Sequence, residues 1–565
     1  EQLAEHLPPL SDPDMALNNL ERFVQATRSP LSLAALFERD LEALPILLRI
    51  FSTSQHLSDV LVTDSESYDL LRATEGRPFA RDTLVSEFCS EVQALSGEAA
   101  IMSALRRFKR RETLRIAYGD LIRGQNLTVV TEQISFLADA ILEGAVLAAR
   151  RKLRESRGEP RGPHGTAKFV ILGMGKLGGT ELNYSSDIDL ICLYEGEGQT
   201  DGPRPISNHE FFQRLVREVV QLLTTATDTG AAYRCDLRLR PNGNQSPMLN
   251  DFDQALQYYD KKGRTWERQA FVKARPVAGD LELGKKFLDR LQPWIYRRYL
   301  GLADITGIKA LKRRIEQRTI KEKADHRDVK TGHGGIRDIE FTIQFLQLLH
   351  GSEVAQLQTG NTLHALDQLE RIGCITPQER SLLEANYRLL RNIEHRLQIM
   401  FDLHTHVVPE APEEMKKLAI RLGYADKPGG SSALETFRND YRRITAENRK
   451  ILNHLLHDAF HDDEESRPEV DLILDPDPGA EQIEQVLSRY GFRETTRAYQ
   501  NIQALATERI PFLSTRRCRH FLASIAPALL RAISRTPDPD ATLVSLEKVS
   551  DSLGGKGALW ELFSF

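Results

Sequence analysis

Asp187 and Asp189 stand two positions apart in Asp187-Ile188-Asp189-Leu190, at the head of an apolar run that ends at Tyr194. In a strand, residues two apart share a face, so both carboxylates point one way while Ile188 and Leu190 point into a core. Carboxylates that converge within a few ångströms repel each other unless a cation sits between them. Just upstream, the apolar run from Phe169 enters a turn holding Gly173, Gly175, Gly178 and Gly179. Such a turn can accept phosphate on its backbone, with Gly178, Gly179, Ser185 and Ser186 supplying N–H and hydroxyl donors. The cation suited to oxygen ligands beside phosphate is Mg²⁺ or Mn²⁺. The combination points to nucleotide chemistry.

Gly173, Gly175 and Gly178 also spell the dinucleotide-binding fingerprint. That reading needs a crossover helix of about a dozen residues before the next parallel strand. Only the eight residues from Gly179 to Ser186 are available, so the fingerprint is set aside. The pattern resembles the nucleotidyltransferase superfamily with its DNA-polymerase-beta-like fold. Its signature of an apolar residue, paired glycines, a short spacer and acid-apolar-acid reads here as Leu177-Gly178-Gly179, seven residues, then Asp187-Ile188-Asp189. That fold requires a third carboxylate on a neighbouring strand, and AAYRCDLRLRP supplies Asp236. Alternation places Arg234, Asp236, Arg238 and Arg240 on one face of an expected strand. Arginines around a carboxylate suit a metal-bound polyphosphate, whose oxygens Arg238 and Arg240 would clamp.

Longer strings narrow the resemblance. WERQAFVKARP from Trp266, GHGGIRDIEF from Gly332 and RNIEHRLQIMFDLHTHVVP from Arg391 occur in one order along nearly the whole chain. Together they resemble the glutamine synthetase adenylyltransferase/adenylyl-removing family, whose members look like two nucleotidyltransferase units in tandem. ELNYSSDIDLI is similar to the removing unit, with Asn183 and Ser185 where the attaching unit carries a more open glycine pattern. The resemblance implies metal ligation by Asp187, Asp189 and Asp236. It also implies phosphorolysis of adenylyl-tyrosine on glutamine synthetase to tyrosine and ADP, and control by the PII signalling protein. AMP transfer from ATP to the same tyrosine is the alternative direction; a degenerate PII-responsive scaffold is a second alternative.

Other side chains carry two readings each. Lys176, Arg268, Lys273 and Arg275 either bind nucleotide or partner, or lie elsewhere in the fold, with Lys273 taken as nucleotide-binding; Trp266 reads as core. Gly334-Gly335 opens a helix whose N-terminus can face an anion, while Arg337, Asp338 and Glu340 read as ion pairs between domains. His395, His404 and His406 lack a common face, which argues against a metal site.

These residues must be held by a large scaffold. At 565 residues the chain implies several domains, and 41% hydrophobic with 27% charged residues is the balance of a soluble globular protein. No apolar run approaches the ~18 residues of a membrane span. A net charge of −5 argues against a general nucleic-acid binder. Five scattered cysteines imply neither disulfides nor zinc, and so a reducing cytoplasm. The expected fold class is α+β: a small mixed, mainly antiparallel sheet embedded in large all-helical domains. The expected divisions are a helical region at 1–118, a nucleotidyltransferase domain at 119–305, a docking bundle for substrate and PII at 306–463, and a linker with further helices at 464–565. Residues 154–165 read as a loop, 465–482 as a linker, and 210–225 as an amphipathic helix. An internal repeat relates DPDMALNNLE at Asp12 to DPDATLVSLE at Asp538, and LLRIFSTS at Leu47 to LWELFSF at Leu559. It reads as the start of a second copy of the unit, which makes the chain a fragment or a shortened relative of a duplicated protein.

Overall fold

The computed structural model describes residues 2–163, 165–243, 246–296, 327–427, 430–460, 468–474, 478–507, 515–553 and 556–564. The protein is α+β, with helices dominating and strands confined to residues 160–279 among the described residues. After several shorter helices, α1 (Glu98–Leu121) and the long α2 (Leu127–Arg157) form an antiparallel wall. In α2, Ile134, Leu137, Ala138, Ile141, Leu142 and Ala145 recur at three- and four-residue spacing and are buried, which is why one helix face covers a sheet.

α2 runs further than its polar composition implies, to Arg157. The segment expected as a loop then forms β1 (Pro160–Gly162) and β2 (Gly165–Thr166), a small hairpin. The main sheet starts at β3 (Phe169–Gly173), followed by the single helical turn α3 (Gly175–Gly178) and β4 (Ile188–Tyr194). β5 (Gln199–Thr200) closes the small sheet against β1, and α4 (Asn208–Thr224) follows. β6 (Cys235–Asp236), β7 (Leu249–Asp251), α5 (Phe252–Lys262), β8 (Arg275–Gly279) and α6 (Leu281–Ile295) complete the unit.

β3 lies between β4 and β8 with antiparallel pairing on both sides. β4 pairs in parallel with β6 at its start and with β7 at its end, so the sheet is mixed. Strand alternation sorts two cores. Ile171, Ile188, Leu190 and Cys192 join the core under α1, α2 and α4. Val170, Leu172, Ile191 and Leu193 join Phe252, Tyr259, Phe287 and Trp294 on the other face.

The boundary expected at 118/119 falls inside α1, and the first core joins residues from Ala16 to Ala278 together with Ile399. The N-terminal helices therefore belong to the sheet's own core, because α1 and α2 bury an apolar face on it. The boundary at 305/306 lies outside the described residues. A separate core joins α7 (Ile336–His350), α8 (Pro377–Ile399) and α9 (Ala433–Phe460) between Val329 and Leu455. A further core spans Leu472 to Trp560. Part of the expected linker is the helix Pro468–Leu474, with Leu472 and Ile473 buried in that core; residues 465–467 and 475–477 lie outside the described residues.

The internal repeat has a shared local geometry. Asp12 accepts a bond from Met15 N at 3.0 Å, and Asp538 accepts one from Ala541 N at 3.0 Å. Each caps a helix beginning at proline, Pro13–Ala26 and Pro539–Leu553.

Candidate active site

Asp189 sits on the β4 face that carries Ile191 and Leu193, beyond the end of their core. Parallel register sets it directly beside Asp236 of β6. Asp187 lies one residue before the strand. Burial, then the neighbouring Asp236, push the Asp189 carboxyl up to about 6, with Asp187 adding to the rise and Lys330 opposing it. Among the described residues, no hydrogen bond or salt bridge reaches the Asp189 carboxylate.

The other two carboxylates are engaged by arginines. Arg234 Nε donates to Asp187 at 2.5 Å. Arg238 donates through Nε at 2.8 Å and through its backbone N at 2.8 Å to Asp236. Burial would raise the Asp236 pKa, but these bonds outweigh it and hold the carboxyl below its ordinary value. The strand expected through Arg240 ends at Asp236, and Arg240 turns away. Its guanidinium is buried against the carbonyls of Leu237, Ser246 and Pro247, so it closes a loop rather than facing the carboxylates. Arg238 stays with the cluster and is 73% exposed, open to a ligand from solvent.

The glycine turn divides its duties differently from the expectation. Gly178 and Gly179 direct their N–H groups to Met174 O and Gly175 O within α3. A Cβ on Gly178 would lie 1.6 Å from Lys273 O, and one on Gly179 would lie 2.6 Å from Gly360 O. Both are glycines because other backbone passes against them, and their amides are not phosphate donors. Gly175 is the member that meets the carboxylates: it has φ +55, and a Cβ there would lie 2.9 Å from Asp189 Oδ2. Its positive φ and its place immediately before Lys176 carry that role, which the sequence reading left inside the rejected fingerprint.

Several remaining candidates form the seam between this unit and the helical bundle. Lys273 is buried; its ammonium donates to Glu181 at 2.6 Å and Thr362 at 3.0 Å, and lies 3.4 Å from Glu340. It is held away from the carboxylate cluster as a charge bridge, not presented to a nucleotide. Arg268 donates to Ile295 O, and Arg275 pairs with the fully buried Asp139. Asn183 Oδ1 accepts from Arg391 and from His395 Nε2 at 3.0 Å. Ser185 donates to Asp402 O at 3.2 Å, and its N–H donates to Gln398. The side chains distinguishing the ELNYSSD string thus face α8 and the loop after it, not the carboxylates. Ser186 is half-buried beside Asp187 and makes no side-chain hydrogen bond among the described residues. Lys176 pairs with Glu394 at 2.8 Å across the same seam; burial lowers its ammonium to about 8, although Glu394 opposes that shift. Glu340 links Lys273 to Tyr387, whereas Asp338 accepts from Gly334 N of its own loop.

The bundle also contributes a residue that sequence reasoning passed over. Lys330, in the loop before α7, lies within the electrostatic reach of Asp189, Lys176, Glu394 and His404. The α7 N-terminus expected to face an anion is closed: Ile336 N and Arg337 N donate to Val329 O and Lys330 O. His404 lies near Asp187 and Lys330, and His406 near Asp328 at 3.4 Å.

As placed, no group of three or more His, Cys, Asp or Glu among the described residues could hold a metal ion. The donors nonetheless suit a hard divalent cation. They are all oxygens, on two adjacent strands and the residue before one of them, and Asp189 is a half-buried carboxylate with no hydrogen-bond or salt-bridge partner among the described residues and a raised pKa. Loading would require Asp187 and Asp236 to release Arg234 and Arg238.

Comparison with known proteins adds two family matches and a set of relatives. Residues 44–290 match a family model described as glutamate-ammonia ligase adenylyltransferase. Residues 309–456 match one described as GlnD PII-uridylyltransferase. A bifunctional glutamine synthetase adenylyltransferase/adenylyl-removing enzyme of Thioalkalivibrio sulfidiphilus is 33% identical over 493 residues, covering 86% of this chain and 50% of that protein. Its namesake in Xanthobacter autotrophicus is 33% identical over 569 residues, covering 99% of this chain and 56% of the relative. The chain thus spans about half the length of the curated relatives it matches.

Proposed function

This chain belongs to the glutamate-ammonia ligase adenylyltransferase family, and from that premise we propose that it removes AMP from an adenylylated tyrosine of glutamine synthetase by phosphorolysis. The core carrying the reaction is of the DNA-polymerase-beta-like nucleotidyltransferase type, a reading supported by the mixed sheet and the position of Asp187 and Asp189 at the head of β4. The observation that carries the proposal is the register of Asp189 against Asp236, with the Gly175 backbone pressed on the same carboxylate. The direction, removal rather than attachment, rests on the likeness of ELNYSSDIDLI to removing units. The packing of Asn183 and Ser185 gives it no separate support.

Asp187, Asp189 and Asp236 would hold Mg²⁺ or Mn²⁺, which when bound offsets charge on the phosphates and on the departing oxygen. Arg238 and Arg234, freed from their carboxylates, would disperse charge on phosphate oxygens at the exposed rim. The bond from phosphorus to the tyrosine oxygen breaks, and a bond to an oxygen of the incoming phosphate forms, giving ADP. A phenol with a pKa near ~10 leaves far more readily than an alcohol, so the residues present need not include a strong general acid. The bundle matching the GlnD PII-uridylyltransferase model would dock glutamine synthetase and respond to PII. No helix among the described residues is long and apolar enough to cross a membrane.

The test is mass spectrometry of adenylylated glutamine synthetase incubated with this chain and Mg²⁺, with and without phosphate. Phosphate-dependent loss of AMP with formation of ADP is expected. AMP transfer from ATP to unmodified glutamine synthetase, with no phosphate-dependent ADP, would reverse the direction and leave the site standing.

A further inference from the structure

α8 packs on two bodies at once. Leu383, Leu390 and Ile393 enter the bundle's own core, and Asn386 donates to Asn448 of α9 at 2.9 Å. Arg391, Glu394, His395 and Gln398 recur at three- and four-residue spacing, so they share a different face. All four are buried, and each bonds the segment between Lys176 and Ser185. Glu394 takes Lys176 Nζ with both oxygens, at 2.8 and 3.0 Å. Asn183 Oδ1 accepts from Arg391 and from His395 Nε2. Gln398 Oε1 accepts from Ser185 N at 3.2 Å, and Asp402 O, in the turn after α8, accepts from Ser185 Oγ at 3.2 Å.

That segment joins the two ends of the carboxylate site. At its start, Gly175 precedes Lys176, and a Cβ there would lie 2.9 Å from Asp189 Oδ2. The residue before it, Met174, donates its N–H to Asp189 O at 2.9 Å. At its finish, Ser185 stands two residues before Asp187. Arg234 spans that step, donating to Ser185 O at 3.1 Å and to the Asp187 carboxylate at 2.5 Å. The sheet unit secures Leu182 and Tyr184 in the first core, and α8 with its turn secures the alternate residues Asn183 and Ser185. Between α3 and β4 the backbone makes no strand pairing, so its course is set by these side-chain anchors.

We propose that Glu394 and Gln398 are positioning residues for the transfer reaction. They act through Lys176 and Ser185 to hold Asp189 and Asp187 in the mutual placement that cation binding requires. The bundle thereby shapes a site whose three carboxylates all lie in the sheet unit. This deepens the function proposed above and rests on it.

The experiment uses the full chain with Glu394→Gln, Lys176→Met, these two combined, and Gln398→Met, beside Asp189→Asn. Glu394→Gln keeps the shape and removes the charge. Gln398→Met removes a neutral acceptor at similar volume, so it tests the idea even where the buried ion pair proves essential for folding. The Mn²⁺ Kd by calorimetry, kcat and KM for phosphate in ADP formation, and Tm are measured where each variant is folded. Disturbed supports of metal ligands typically cost about 10- to 100-fold in metal affinity or activity. Glu394→Gln, Lys176→Met and Gln398→Met should each raise the Mn²⁺ Kd and lower kcat by about 10-fold or more, with KM for phosphate nearly unchanged. The combined variant should be no worse than the more damaged of its two single variants, because both lie on one path. Additive losses there would overturn the action of Glu394 through Lys176. Mn²⁺ Kd and kcat close to those of the parent in Gln398→Met and Glu394→Gln, with only Tm lowered, would overturn the proposal. If Glu394→Gln does not fold, Gln398→Met decides alone. Full Mn²⁺ affinity and activity in Asp189→Asn would instead overturn the site on which the proposed function rests.

Discussion

Asp189 bears a charge that the metal-free fold does not accommodate well. Burial and Asp236 raise its pKa to about 6, above the ordinary carboxylate value, so the folded chain favours its protonated form. Between about pH 4 and 6 the native state then binds more protons at this site than the unfolded state, and its contribution to stability falls as pH rises. Asp189→Asn mimics the protonated form. Without metal, the variant and parent should melt together near pH 4, with the variant melting higher above pH 6; thermal scans at both pH values check this. Activity should fall by about 100-fold or more, because a ligand charge that offsets the cation is gone. Equal melting temperatures above pH 6 would mean that Asp189 is not electrostatically strained. The carboxylates were legible from sequence because alternation and spacing are local. Arg240 was not: its neighbours are carbonyls brought round by the loop to Pro247, which periodicity does not report.

At the scale of elements, the conspicuous charges of the WERQAFVKARP string join helices and strands rather than face a ligand. Lys273, Glu181, Glu340 and Tyr387 form a connected buried group between α3, α7 and α8. From sequence Lys273 reads as nucleotide-binding because it is one of three cations clustered in that string, yet its carboxylate partners Glu181 and Glu340 lie 92 and 67 residues away in sequence. The expected ion pairing of Glu340 between domains is present, and Asp338 also accepts from Gly334 N. Removing a buried cation strands its carboxylates, which typically costs about 3–5 kcal/mol. Lys273→Ala should therefore lower stability by that amount in denaturant titration. At temperatures where it remains folded, its Mg-ADP affinity should match the parent; a selective loss of affinity with unchanged stability would return Lys273 to the nucleotide site.

At the scale of the whole molecule, the relevant division is between the two-sided sheet with its bundle and the C-terminal helices. Those helices own a core, from Leu472 to Trp560, that among the described residues contains none from the preceding units. Their contact with the sheet unit is local: helix Thr515–Ile533 meets α5, and the field of Arg519 acts on Glu267. The repeat sharpens the distinction. Phe23, Ile50 and Phe51 are buried in the first copy, whereas the matching Val549, Leu562 and Phe563 are exposed. The second helices thus share the local caps of the first without covering the sheet. Few contacts crossing such a division predict an independent unit. A chain ending at Asp463 should stay soluble and keep phosphorolysis within about twofold of the longer chain, since the carboxylates, Gly175, Glu394 and Gln398 all precede it. Its Tm should shift by no more than about 2–4 °C, the size of a 1 kcal/mol loss in a domain of this order. Aggregation or loss of turnover would show that the helix on α5 supports the catalytic unit, and that the shared capping pattern does not mark a separable copy.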